Sequence, residues 1–128
     1  MEKIIAYTDG SAVASGKLKG HGGFGTFFPN LFGKKVVYSK GYLNTKTGRM
    51  EIIALLYAIK AIPENLECEL EVYSDSQYVV KTFTEKRLQK WFKNKWMSYG
   101  NPIANIDLWK KIIKELRLRP RMKLSMVW

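Results

Sequence analysis

The sequence predicts an α/β fold in which three antiparallel strands precede alternating helices and strands. Three segments rich in β-forming residues lie before residue 45, separated by glycine-rich and other turn sequences. After residue 50 the apolar spacing becomes helical, and an alternating strand pattern then returns. With 128 residues the chain is long enough for one domain with its own core, so we expect a single domain over residues 1–128.

The first half of the chain predicts a β-meander. The first strand covers Lys3 to Thr8 and ends at the turn sequence Asp9-Gly10-Ser11. The second covers Phe24 to Phe28 and ends at Pro29, which cannot donate a hydrogen bond to a neighbouring strand. The third covers Lys35 to Leu43. A glycine-rich connection joins the first two segments, and the three together resemble an antiparallel meander.

A long helix and a fourth strand follow. Apolar residues recur at helical spacing from Met50 to Ile62, and Pro63 closes the helix. Leu70 and Val72 alternate with acidic residues in a half-buried strand that ends at Ser74-Asp75-Ser76 and leads into a helical stretch. A strand, a helix and another strand in succession suggest a parallel crossover.

The segment around residues 81–100 is basic and aromatic. Residues 81–96 contain six basic side chains against one acidic side chain, interleaved with tryptophan and phenylalanine. Beyond it, Asn105 is predicted to cap a helix that Pro120 ends. A last strand-like run covers Met122 to Trp128, which brings the predicted number of strands to five.

The charge of the chain points to a polyanionic partner. Lys and Arg number 22 against 11 Asp and Glu, a formal net charge of +11, and nucleic acid is the leading candidate. The sequence contains no apolar run long enough to span a bilayer, so we expect no membrane association. Cys68 is the only cysteine, which excludes an internal disulfide and fits the reducing cytoplasm.

Three carboxylates are candidates for a metal site. Asp9 and Asp75 directly follow predicted strands, and Glu51 lies near the start of the long helix. If the three converge, they require a cation, and hard oxygen ligands suit Mg²⁺. Each residue alone also has an ordinary explanation as a turn, a helix cap or a favourable helix N-terminal charge. The pattern therefore leaves an enzyme and a basic binding module both open.

At these carboxylates the sequence resembles ribonuclease HI. The matching segments, in order, are Tyr7-Thr8-Asp9-Gly10-Ser11, Gly22-Gly23-Phe24-Gly25, Gly48-Arg49-Met50-Glu51, Ser74-Asp75-Ser76-Gln77-Tyr78-Val79 and Asn105-Ile106-Asp107-Leu108-Trp109. The resemblance implies a five-stranded mixed sheet whose first three strands are antiparallel and whose first, fourth and fifth strands are parallel. It also implies an endonuclease that hydrolyses the RNA strand of RNA–DNA hybrids and leaves 3′-hydroxyl and 5′-phosphate ends. Asp9, Glu51 and Asp75 would bind Mg²⁺, with Mn²⁺ as a substitute.

The same resemblance assigns residues to substrate binding. The expected contacts to the hybrid are Gly10, Ser11, Thr47, Gly48, Gln77, Lys90, Trp91, Lys93, Trp96 and Asn105. The 81–100 segment resembles the protruding handle with which many bacterial members hold the DNA strand. Thr47-Gly48 replaces the two asparagines common in the family, so only a backbone contact is expected from Gly48. Ordinary packing is the alternative interpretation of the tryptophans, and for Trp91 and Trp96 we expect packing and DNA contact to be partly true together.

The resemblance stops before the C-terminal loop and helix of the family. The sequence then lacks the fourth metal-site carboxylate, and we expect activity that is weaker or more dependent on Mn²⁺. Three explanations stay open for this departure: a truncated gene, a naturally shortened enzyme, and an assembly in which a partner chain covers the C-terminal edge. The main alternative function is a weakened module that binds hybrids without efficient turnover; a purely structural domain is disfavoured by the charge.

Overall fold

The computed structural model describes residues 1–128 as seven strands and four helices. The strands are β1 (Glu2–Ala12), β2 (Gly22–Leu31), β3 (Lys34–Tyr42), β4 (Cys68–Ser74), β5 (Met97–Ser98), β6 (Asn101–Pro102) and β7 (Met122–Val127). The helices are α1 (Thr47–Lys60), α2 (Gln77–Thr84), α3 (Arg87–Lys93) and α4 (Ile106–Arg117). Five strands form one sheet in the order β3-β2-β1-β4-β7, and β5 and β6 form a separate small hairpin that was not predicted.

The strand directions confirm the predicted mixed sheet. β1 pairs with β2, and β2 with β3, in antiparallel fashion. β1 pairs with β4, and β4 with β7, in parallel. A parallel neighbour requires a crossover connection, and α1 lies in the connection that leads from the meander to β4. β1 therefore lies between an antiparallel and a parallel neighbour at the centre of the sheet.

The predicted end of the first strand was wrong. β1 does not stop at Thr8 but continues through Asp9-Gly10-Ser11 to Ala12, because β2 supplies partners along this length, with Asp9 opposite Gly25. Pairing with β4 does end at Thr8, opposite Ser74. Asp9 is therefore part of a strand on its β2 side and lies just beyond the paired length on its β4 side.

The predicted end of the second strand was also wrong. β2 continues past Pro29 to Leu31, with a register shift against β3 between Phe28 and Leu31. A bulge leaves the proline nitrogen outside the regular ladder, so its missing N–H group costs no hydrogen bond.

The core lies between the sheet and its helices. Ile52, Leu55 and Ile59 of α1 are fully buried. α4 adds Trp109 and Ile112, which are also fully buried. This broad apolar face explains why α1 was recognisable from sequence spacing. None of the helices combines the length and apolar character that crossing a membrane would require.

The opposite face of the sheet carries an apolar row that crosses all five strands. The row consists of Val37, Phe27, Tyr7, Tyr73 and Val127, each opposite the next in the strand register. The rings of Tyr7 and Tyr73 stack at 5.2 Å between centroids, yet Tyr7 remains 46% exposed. The expectation that a partner chain covers the C-terminal edge stays a prediction.

Candidate active site

Asp9, Glu51 and Asp75 reach one end of the sheet from three elements. Asp9 lies in β1, directly beyond its pairing with β4, and Asp75 directly follows β4 as predicted. Glu51 lies one turn inside α1, which begins at Thr47, so a favourable charge in the first helical turn does not explain this residue. Asp9 and Asp75 are exposed and Glu51 is half-buried.

Gly10 brings β1 and α1 close together. A Cβ atom at this position would lie 2.5 Å from the carbonyl carbon of Met50 and 2.6 Å from the backbone nitrogen of Glu51. Both are backbone atoms, which cannot rotate away as a side chain can. The missing side chain of Gly10 therefore lets the helix contact the strand and sets Glu51 beside Asp9.

The electrostatics of the three carboxylates are coupled through Glu51. Partial burial raises the pKa of Glu51 most, and the negative charges of Asp75 and Asp9 raise this pKa further. The nearby hydroxyl of Ser76 partly offsets these effects and lowers the pKa. Ser76 also caps α2, since its hydroxyl accepts a hydrogen bond of 3.2 Å from the Val79 nitrogen. Closely spaced anions of this kind are stabilised by a cation.

The three carboxylates suit a hard divalent ion that completes its coordination with other ligands. No three His, Cys, Asp or Glu side chains converge tightly enough in this structure to enclose an ion. Mg²⁺ commonly takes only one or two protein carboxylates and completes its shell with water and substrate phosphate. Asp9, Glu51 and Asp75 therefore fit ions that are shared with a substrate better than a closed protein site.

An open groove runs over the strands beside Asp9. It has a volume of about 630 Å³, and Gly10 and Ser11 of β1 line it. Their contact with a substrate stays a prediction. Glycines of β2 and β3 extend it away from Asp9: Gly23, Gly25 and Gly41. Positions without side chains leave room for a backbone to approach closely. Two of the three glycines in residues 22–25, Gly23 and Gly25, therefore line the groove.

The start of α1 is tied to the end of β1. The Thr47 hydroxyl accepts a hydrogen bond of 2.9 Å from the Ala12 nitrogen and lies 3.4 Å from the Ala12 carbonyl oxygen, to which it donates.

Gly48 lies close to the Tyr78 ring and the Asn105 amide, and a Cβ there would be 3.4 Å from the ring. Gln77 is exposed at the start of α2. The structure brings Gly48 and Asn105 together.

A polar network around Arg49 was missed at the sequence level. The Arg49 guanidinium donates to both carboxylate oxygens of Asp107, at 3.0 and 2.8 Å, and to the Asn105 side-chain oxygen at 3.1 Å. The Asn105 amide donates to the Tyr78 hydroxyl at 3.3 Å, and the Trp109 indole donates to the same oxygen at 2.9 Å. Trp109 was the signal available in the sequence, because a buried tryptophan needs a hydrogen-bond acceptor for its indole N–H group.

The predicted capping role of Asn105 was wrong. Asn105 precedes α4 with a left-handed backbone, at φ 63°, and its side chain makes no capping hydrogen bond. The side chain instead spans the gap between Arg49 and Tyr78. Asn105 thus connects α1, α2 and α4 next to Gly48.

We expect the Arg49–Asp107 pair to make stability depend on pH. The hydrogen bonds from Arg49 hold the pKa of Asp107 below its usual value. The resulting stabilisation is present above the unfolded-state pKa and is lost as the pH falls through the folded-state pKa. Urea unfolding should show the unmodified protein to be more stable than Asp107→Asn at neutral pH, with the difference shrinking on acidification. A difference independent of pH would contradict this origin.

The basic 81–100 segment combines exposed lysines with packed tryptophans. Lys90 and Lys93 are exposed on α3. Trp91 is half-buried, with its ring 6.5 Å from that of Trp96 and 6.0 Å from that of Trp109. Trp91 and Trp96 both pack against the core, so the packing interpretation is correct for the two tryptophans. A contact of the four predicted handle residues with DNA stays a prediction.

Comparison with known proteins places the whole chain within one set of relatives. The family model described as RNase H matches residues 1–128. A ribonuclease H of Lachnoclostridium phytofermentans is 40% identical over 116 residues, which are 87% of this chain and 71% of that protein. A ribonuclease H of Hahella chejuensis is 41% identical over 90% of this chain and 74% of its own length. The solution structure of the PFV RNase H domain superposes with a TM-score of 0.68 at 25% identity, covering 97% of this chain and 78% of that domain.

Proposed function

The chain belongs to the ribonuclease H family, and we propose that it hydrolyses the RNA strand of RNA–DNA hybrids with divalent metal ions held by Asp9, Glu51 and Asp75. The observation that carries this proposal is the placement of these three carboxylates at one end of the sheet, where the close approach at Gly10 sets Glu51 beside Asp9 and Asp75 directly follows β4. Burial and, beyond it, the charges of Asp75 and Asp9 raise the pKa of Glu51. The product ends would be 3′-hydroxyl and 5′-phosphate.

Each carboxylate would contribute an oxygen from a fixed element. Mg²⁺, or Mn²⁺ in its place, would activate the attacking water and stabilise the leaving oxygen of the phosphodiester. β1 and α1 restrain Asp9 and Glu51 through the close approach at Gly10. Asp75 is restrained by β4 and by a hydrogen bond of 3.2 Å from the Trp128 indole to its carbonyl oxygen.

The groove and the neighbouring loops would bind the hybrid. RNA is distinguished from DNA by its 2′-hydroxyls, which lie in a wide, shallow minor groove. The 2′-hydroxyls would be contacted by backbone groups of Gly10 and Gly48. The polar side chains of Ser11 and Gln77 would contact them as well. Thr47 would act mainly through its hydrogen bonds to β1, and Asn105 beside Gly48 would contact a phosphate. Lys90, Lys93 and Trp96 would contact the DNA strand, with Trp91 supporting them from beneath.

A second candidate function is a module that binds hybrids with little turnover. The observation in its favour is that the carboxylates do not enclose an ion by themselves. We place either activity in the cytoplasm, since Cys68 is the only cysteine and is a free thiol, as suits a reducing compartment. We treat residues 1–128 as one domain because a single core cluster runs through the sheet and its helices.

Cleavage of labelled duplexes would test the proposal and separate the two candidates. The protein and Asp75→Asn would be incubated with RNA–DNA hybrid, RNA duplex and DNA duplex in Mg²⁺ or Mn²⁺. We expect cleavage of the RNA strand of the hybrid alone, loss of cleavage in Asp75→Asn, and products that a polymerase can extend from their 3′ ends. Tight hybrid binding without cleavage in either metal would favour the binding module, and cleavage of all duplexes would contradict hybrid specificity.

A further inference from the structure

We propose that the groove between α3 and α4 binds acidic peptide segments that carry large apolar side chains. The groove comprises two adjoining hollows of about 470 and 510 Å³. They share Phe92 of α3 with Ile113 and Arg117 of α4 as lining residues. The groove lies outside the carboxylate site, and it shares Lys93 and Trp96 with the DNA contacts proposed above.

The apolar surface of the groove lacks a partner within the chain. Phe92 is 63% exposed and Leu118 is 40% exposed. Beside them, Leu88, Ile113 and Leu116 belong to the core or pack against it. Contiguous apolar groups exposed in this way, rimmed by polar residues, mark interaction sites in soluble proteins. Large apolar side chains of a ligand would fit the two hollows.

The rim of the groove is cationic. Lys93 projects from α3, and Lys110, Lys114 and Arg117 lie on one side of α4 at spacings of four and three residues. None of these four takes part in the ion pairs of the structure, all of which involve other basic residues. The Lys110 ammonium lies 5.7 Å from the centre of the Trp96 ring. The uncompensated charges favour carboxylates on the ligand.

The combination of apolar floor and cationic rim favours a peptide over a nucleic-acid duplex. A duplex offers phosphates to the rim, but its bases are stacked inside and provide no apolar side chains for the floor. A phosphate lying over Phe92 and Ile113 would lose hydration without gaining a partner. A segment that alternates Asp or Glu with Phe or Leu supplies both kinds of contact.

Binding of a synthetic peptide to the full chain would test this inference. The probe is a fluorescein-labelled peptide of alternating Asp-Asp and Phe-Leu pairs, with Asn-for-Asp and Ser-for-Phe/Leu versions as control peptides. The double variant Lys114→Glu/Arg117→Glu should bind the probe about tenfold more weakly. The matched double variant Lys34→Glu/Lys35→Glu changes the charge equally at the exposed start of β3 and should stay within about twofold of the unmodified protein.

A second variant isolates the apolar contribution. Phe92→Ser removes an exposed side chain, so folding should be retained, and circular dichroism would verify this. It should weaken binding of the acidic apolar probe but leave the weak binding of the serine-containing peptide unchanged. In ¹⁵N-resolved NMR spectra the probe should shift the indole signal of Trp96.

Three outcomes would overturn the inference. The first is the absence of saturable binding of the probe. The second is equal binding of the serine-containing peptide or an equal loss in both double variants, which would indicate attraction by net charge alone. The third is displacement of the probe by duplex DNA whose own binding is weakened equally by Phe92→Ser, which would make the groove a nucleic-acid surface.

Discussion

Replacing Glu51 by Gln is expected to abolish hybrid cleavage while leaving the fold at least as stable. Mutation of a residue that only hydrogen-bonds to a metal ligand lowers metal affinity or activity by about 10- to 100-fold. Loss of a ligand itself should therefore lower kcat/KM by about 100-fold or more. Glu51 has a raised pKa because of burial and the charges of Asp75 and Asp9. Its charged form therefore opposes folding, and a neutral amide of the same shape removes that opposition. Initial cleavage rates and urea unfolding would be measured together.

The pH dependence of the same variant provides a sign test. Because the folded-state pKa of Glu51 lies above the unfolded-state value, stability is lost as the pH rises through the interval between them. Any stability gain in Glu51→Gln should therefore appear at neutral pH and vanish in acid. Glu64→Gln, at an exposed position, is the matched control and should change neither property. Cleavage retained in Glu51→Gln would contradict the metal-ligand role.

Replacing Gly10 by Ala is expected to destabilise the protein and impair cleavage together. The new methyl group would lie within 2.8 Å of three backbone atoms of Met50 and Glu51, so α1 must move away from β1. Overpacking of this kind costs about 1–3 kcal/mol. The same movement would displace Glu51 relative to Asp9. Thermal or urea unfolding and the cleavage rate would measure the two effects.

Gly25→Ala is the matched control for this prediction. Gly25 lies opposite Asp9 on β2, and a Cβ there would meet nothing within 4 Å. Its stability should stay close to that of the unmodified protein. If Gly10→Ala were as stable as Gly25→Ala, the close contact between β1 and α1 would not be what positions Glu51.

Much of the fold followed from local patterns. The alternation at Leu70 and Val72 and the helical spacing from Met50 to Ile62 correspond to β4 and α1, because one-sided burial imposes these periods. Strand ends were less predictable. Asp9-Gly10-Ser11 has the composition of a turn, yet β2 pairs with it throughout. A neighbouring strand outweighed local propensity, which the residues alone could not reveal.

In the candidate site, too, some residues could be identified from the sequence, whereas their contacts could not. Asp9, Glu51 and Asp75 were identifiable from their motifs, since each motif is short and continuous in sequence. The Arg49–Asp107 pair joins residues 58 positions apart, and Asn105 bonds to Tyr78 rather than capping α4. Such partners depend on how helices pack, and no spacing in the chain encodes them directly.

The sequence by itself determined the five strands of the main sheet, the long helix α1, the positive charge and the motifs that make Asp9, Glu51 and Asp75 candidate metal ligands. These are properties of composition, periodicity and short motifs. Only the tertiary structure decided how closely Gly10 approaches Met50, which neighbours raise the pKa of Glu51, and that Phe92 and Arg117 line one groove. The physical reason is that distances and burial arise from packing between distant segments, whereas periodicity reports only which side of each segment is buried.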